Sequence, residues 1–244
     1  MTSTVKVGRS KKVIIQLLTY AMVAIMSCNI GEAQTLIPPL DVTIRFDDNY
    51  DLDDQLREWA ELAAATVKEQ YPFLIAMLDS EGYKPPGSVK IIFSNLLSGG
   101  AGARIRNGVG EILISYNLKE EILEGDQIRN LGNMIHELVH VLQGYPSRDS
   151  VDWWVREGIA EYFNFFWYQR ISDISWVNPE TAKYNDGYWI TAAFFDWIVR
   201  TKDASFIKRL NAACRKGNYS IEQFKVLTGM SVDELWDEFI QSFN

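Results

Sequence analysis

His136 and His140 are the only two histidines in the chain, and they stand four residues apart in Asn133-Met-Ile-His136-Glu137-Leu-Val-His140. Around them Leu131, Ile135, Leu138, Val139 and Leu142 recur as a thick apolar stripe, and Gly144 followed by Pro146 is a helix stop. The segment must therefore fold as a well-delimited helix that carries polar groups into an apolar interior. Burying Asn133, His136, Glu137 and His140 there is costly without a compensating ligand. Two imidazoles one turn apart share a helix face and can grip a single zinc ion, with Glu137 beside them as a general base. This points to a zinc hydrolase, most naturally a peptidase. The competing reading is a core helix whose histidines are satisfied by hydrogen bonds alone.

A catalytic zinc takes three protein ligands and keeps one position open. With no third histidine and no nearby cysteine, the third ligand must be a carboxylate. After a polar loop from Pro146 to Asp152, Trp153-Trp-Val-Arg-Glu157-Gly-Ile-Ala-Glu161-Tyr162 begins a second helix, on which Glu157 and Glu161 again share a face. Glu157 is assigned as the third ligand. Glu161 is assigned to orient one imidazole by accepting its free N–H. Trp154, Ile159, Ala160, Phe163 and Phe166 around them indicate burial. Two solvated glutamates near a helix start are the alternative.

The order HELVH, WWVREGIAEY, YNDGYWITAAFFDWI and SVDELWDEFI resembles the basic secretory protein family of plant and bacterial peptidases, over roughly residues 40 to 244. The resemblance implies a gluzincin-like zinc peptidase with a zincin-like core, and the strand and helix patterns along the chain give an α+β fold, a small N-terminal mixed sheet with helices followed by a mainly helical C-terminal half. Two departures stand out. Glu161 occupies a position where the family usually has aspartate, and this chain is acidic where the family name says basic. Tyr188 matches a tyrosine of the family pattern and starts a helix just after Asp186-Gly187, which nominates it as the hydrogen-bond donor to the oxyanion of the tetrahedral intermediate. Arg156 is the reserve for that role, or a neutralising partner of Glu157. The implied mechanism is attack by zinc-activated water with Glu137 moving the proton. A catalytically silent, lipid-anchored binding module and a non-peptide hydrolase on the same scaffold are the alternatives.

Residues 1–28 read as an export signal. Lys6, Arg9, Lys11 and Lys12 precede an apolar run from Val13 to Met26 that is too short for a mature membrane span. Ile25-Met-Ser27-Cys28 resembles a loose bacterial lipobox, which would make Cys28 a lipidated first residue and the protein a cell-envelope lipoprotein. The alternative is ordinary cleavage near Ala33 and free secretion. Residues 29–40 form a tether ending in Pro38-Pro39, and 41–244 one peptidase domain. Cys214 is then the sole ordinary cysteine, so no internal disulfide is expected. Removing residues 1–28 takes away four positive charges and no acids, leaving 20 basic against 32 acidic residues, a net of −12. That balance excludes nucleic acid as a partner and restricts membrane contact to a lipid anchor, leaving peptide or protein substrates.

Along the domain, Val42, Ile44 and Phe46 alternate as a half-buried strand, and Val89–Phe93 and Glu111–Ser115 read as two more. Leu52, Leu56, Trp59, Ala63 and Val67 predict a helix that Pro72 bends or ends. Every segment after residue 119 reads as helical. Ser220 with Gln223, and Ser231 with Glu234, are capping-box patterns opening the last two helices, the final one burying Leu235, Trp236, Phe239, Ile240 and Phe243. The glycine-rich stretch Ser98–Gly110 lacks a phosphate-loop ending. From the zincin resemblance, the strand Gly110–Ser115 is expected to offer its backbone to an extended peptide. The alternative for this stretch is a glycine-rich hairpin with no ligand role.

Overall fold

The structure, a computed structural model, describes residues 39–47, 53–95 and 97–243. The export signal, the lipobox at Cys28 and the tether as far as residue 38 lie outside the described residues. The alternating Val42 and Ile44 form β1 (Asp41–Phe46), which pairs in parallel with β2 (Ser88–Ser94) in the register Val42 to Val89 and Ile44 to Ile91. Parallel neighbours need a crossover. It is supplied by α1 (Asp54–Leu78), whose N-cap Asp53 accepts from the Gln55 amide.

Pro72 does not end α1. The ring removes only the bond to the carbonyl four residues back, while Leu74, Ile75 and Leu78 beyond it are buried, so packing holds the last turns helical.

The sheet has four strands in the order β1-β2-β4-β3, with β2 and β4 (Val109–Ser115) parallel and β3 (Ala101–Arg106) antiparallel to β4. The sequence pattern marks no strand at β3, although a glycine-rich hairpin is one of its two readings of Ser98–Gly110. Its residues Ala-Gly-Ala-Arg-Ile-Arg lack an apolar alternation because both faces are largely exposed. The hairpin is set instead by Asn107 and Gly108, both at positive φ (53° and 77°), the backbone that a two-residue turn between twisted strands requires. β4 is therefore an inner strand, paired on both sides, and the expectation that Gly110–Ser115 offers a free backbone edge is overturned. The edge strands are β1 and β3, and on the β4 side of the sheet the edge is β3.

The rest is mostly helical: α2 (Lys119–Glu124), α3 (Gln127–Gln143), α4 (Trp153–Tyr162), α5 (Tyr188–Thr201), α6 (Phe206–Arg215), α7 (Gln223–Thr228) and α8 (Val232–Gln241). The fold is thus α+β. Residues 170–187 are turns rather than helix, against the expectation of helix throughout. Ser231 and Glu234 form a reciprocal capping box on α8. Ser220 caps nothing; α7 starts three residues later with no side-chain cap, and Gln223 Nε2 instead donates to the Asn218 carbonyl. α8 buries Val232, Leu235 and Phe239 fully, with Trp236, Ile240 and Phe243 only half-buried at its margin. α1 packs on β1, α3 on β3 and β4, and the two helices against each other. A second cluster, Phe194, Phe195, Phe206, Phe224 and Phe239, joins α5 to α6, α7 and α8 through ring pairs 5.5–6.5 Å apart. No helix among the described residues is long and apolar enough to cross a membrane. Cys214 is buried and free.

Candidate metal centre

α3 begins at an N-cap, Asp126, that accepts from the Arg129 amide, and ends at Gly144 in the left-handed region (φ 57°). Between these stops the apolar stripe is fully buried, and the same turns carry His136 and Glu137 into the interior. His140 is half-buried. Asn133 is exposed, so the cost of burial falls on fewer groups than the helical pattern alone suggests.

α4 packs against α3 and presents its glutamates to the histidines. Glu157 Oε2 lies 3.3 Å from His136 Nε2 and 3.1 Å from His140 Nε2, and the two Nε2 atoms are 3.0 Å apart. The opposite ring nitrogens are both committed. His136 Nδ1 donates to Glu161 Oε2 at 2.6 Å, and His140 Nδ1 donates to Gln143 Oε1 at 2.9 Å. With a metal bound in place of the proton, each imidazole is neutral and these bonds set the tautomer that leaves a lone pair on its Nε2. Two lone pairs and a carboxylate oxygen then face one another, an arrangement that repels unless a cation stands among them.

The separations suit that cation. Ligands about 2.0–2.1 Å from a tetrahedral ion stand roughly 3.3–3.4 Å apart. His136, His140 and Glu157 could hold a metal ion, and they are the one such group among the described residues.

The electrostatics agree. Burial disfavours a charged His136, yet the hydrogen-bonded carboxylates of Glu157 and Glu161 outweigh it and lift the imidazole to about 10. Burial would raise Glu157, but its bonds to both histidines hold it well below the usual carboxylate range. The cluster binds positive charge tightly. Arg156 Nε donates to the second oxygen of Glu157 at 3.3 Å while its Nη1 donates to the Arg148 carbonyl, so this guanidinium is fixed as a partner of Glu157.

Glu137 differs from its neighbours. Its Oε2 is buried without a hydrogen-bond partner, and burial raises its carboxyl above the ordinary value despite the two histidines. It lines, with His136 and Glu161, a cleft of about 310 Å³. Gly100 and Ala101, at the start of the free edge of β3, line the same cleft. So do Tyr188, Trp189 and Phe165.

Tyr188 is half-exposed, with its ring stacked on His136 at 6.4 Å and 6.0 Å from Trp153. Its φ is +38°, which a bulky residue adopts only where its surroundings impose it. Burial and the carboxylates of Glu157, Glu137 and Glu161 raise its phenol above the ordinary value, so it stays protonated.

Two residues of this network went unread in the sequence. Gln143 accepts from His140 and donates to the Arg156 carbonyl at 2.8 Å, tying α3 to the first turns of α4. Asn164 donates to Glu161 Oε2 at 3.2 Å from a stretch, Phe163–Tyr168, where α4 widens into a π-helix. Each stands three residues after the group it holds. That helical spacing was the available signal.

A family model described as peptidase of plants and bacteria matches residues 55–239, a stretch that contains both helices of the cluster and Tyr188. The chain belongs to this family. The resemblance carried by HELVH and WWVREGIAEY is borne out, and membership supports peptidase activity. No curated protein matches the chain.

Proposed function

We propose that the protein is an exported zinc peptidase built on a zincin-like core. One observation carries the reading: His136 Nε2, His140 Nε2 and Glu157 Oε2 converge to within 3.3 Å beside Glu137, a buried carboxylate with an unpartnered oxygen. Two imidazoles and one carboxylate are ligands that suit zinc. Zinc held there supplies a Lewis acid that polarises a carbonyl and lowers the pKa of water.

The chain's own residues do the rest. Glu137 takes a proton from the attacking water and passes one to the leaving amine; its raised affinity for the proton suits both halves of that task. The Tyr188 hydroxyl donates to the oxyanion of the tetrahedral intermediate. Arg156, held by Glu157 and the Arg148 carbonyl, is left with the neutralising role rather than that one. Glu161 and Gln143 keep each imidazole in the tautomer that leaves Nε2 free. The extended substrate lies along the free edge of β3, where backbone groups can pair with it, in place of β4. Export rests on the charged and apolar pattern of residues 1–28, with Cys28 as the lipidation site.

The test is hydrolysis of a mixed peptide library by the zinc-loaded protein, with Glu137→Gln as the matched control. Cleavage by the parent and none by the variant is expected. A silent binding module would leave the library intact with zinc bound. Equal cleavage by both proteins would remove Glu137 from the mechanism.

A further inference from the structure

The cleft does not stop at His136 and Glu137. Along α3 it is lined in turn by Glu137, Met134, Asn133, Asn130 and Arg129. At 1.5 Å per residue this runs roughly 12 Å from the candidate base toward the helix N-terminus.

The walls of that section come from four elements that pack around it: Trp59 of α1, Ile114 of β4, Ile122 of α2 and Met134 of α3, with Leu118 just before α2. The first four are almost wholly buried, between 2% and 6% exposed, and Leu118 is half-buried. Of the polar groups on this wall, Asn130 Nδ2 donates to the carbonyls of Glu121 and Ile122, Asn133 Oδ1 accepts from Asn164 Nδ2 at 3.4 Å, and the Trp59 indole Nε1 is buried without a partner. Glu121 and Arg129, of opposite sign, stand exposed at the margin and favour neither charge.

We propose that this section is the specificity pocket of the enzyme and seats one large apolar side chain of the substrate, phenylalanine or leucine, flanking the bond that is cut. The inference rests on the peptidase reading and adds the class of substrate. An apolar side chain entering the section exchanges water for apolar walls. A charged one would lose its hydration with no buried counter-charge in this section to replace it.

The experiment uses the zinc-loaded protein and fluorogenic peptides that differ only in having Phe, Leu, Ala or Asp on either side of the cleaved bond. On one side kcat/KM should favour Phe or Leu over Ala by about 10- to 200-fold, the range that apolar contacts give, with Asp lowest. Leu118→Trp, which fills the section, should reverse the order of Phe and Ala. Leu118→Ala, which enlarges it, should admit Trp, and it serves if the larger substitution fails to fold by circular dichroism. A flat ranking in the parent, or a ranking that both variants leave untouched, overturns the proposal.

If the parent cleaves none of the peptides, the peptidase reading has failed and the pocket is read by calorimetry. N-acetyl-phenylalanine amide should bind more tightly than N-acetyl-alanine amide, and Leu118→Trp should abolish the difference. Equal or absent binding overturns the pocket itself.

Discussion

At the level of single residues, the two imidazoles are held by different partners. His136 leans on a carboxylate and His140 on a neutral amide, Gln143, which also bonds across to α4. Gln143 is thereby a positioning residue for both ligand helices. Gln143→Ala should lower metal affinity by about 10- to 100-fold, as losing a ligand's orienting partner does. Competition with a chelator of known affinity measures this without reference to turnover. Tyr188→Phe keeps the ring against His136 and removes only the hydroxyl. It should lower kcat by about 10²- to 10³-fold with metal content unchanged, the loss expected for one oxyanion donor. Unchanged kcat would take Tyr188 out of the reaction. The helical spacings of His136 with His140, and of Glu157 with Glu161, were enough to put each pair on one face. The tertiary distances of 3.1–3.3 Å that join both histidines to Glu157 were not legible, because they depend on how α3 and α4 pack. Nor did the sequence disclose the imposed positive φ at Tyr188, since a tyrosine gives no sign of its backbone conformation.

At the scale of elements, strands and helices were legible where burial is one-sided, and hidden where it is not. β1, β2 and β4 announce themselves by β-branched apolar residues; β3 does not, because almost nothing on it is buried and its place is set by the Asn107-Gly108 turn. α1 continues past Pro72 because three buried side chains outweigh one lost hydrogen bond. The two capping-box patterns separate for a similar reason. Ser231 and Glu234 meet in the required geometry at the start of α8, whereas Ser220 lies in a turn ahead of a helix of barely two turns. Ser231→Ala should therefore cost about 1 kcal/mol of stability, the usual worth of an N-cap, and Ser220→Ala should cost nothing beyond the error of urea unfolding. Equal losses at both sites would contradict the assignment.

At the scale of the whole molecule, Cys214 and its neighbours join the helices that surround the sheet. Arg215, beside it on α6, donates to the carbonyls of Leu142 and Gln143 at the end of α3 and of Leu78 at the end of α1. Burial pushes the Cys214 thiol up to about 12, and burial likewise raises the phenols of Tyr145 and Tyr219. Each group is neutral in the folded chain and ionises earlier in the unfolded one. The unfolded state thus sheds protons first, and stability falls as pH rises from about 9 toward 12. Urea unfolding at about pH 8 and about pH 10.5 should show this decline, and Cys214→Ala should make it shallower. The same buried thiol should resist thiol reagents until the chain unfolds. The family's ordered motifs made the overall class legible along most of the chain. The four-strand order and the cleft along α3 were not, since both depend on pairings between segments far apart in sequence.

The proposed joint hold of His136, His140 and Glu157 on one zinc ion is read out by counting zinc per chain by elemental analysis after dialysis, in the parent and in Glu157→Ala. About one zinc per chain is expected in the parent and a clear loss in the variant, since one of three ligands is removed. A parent that retains no zinc, or a variant that retains as much as the parent, would contradict it.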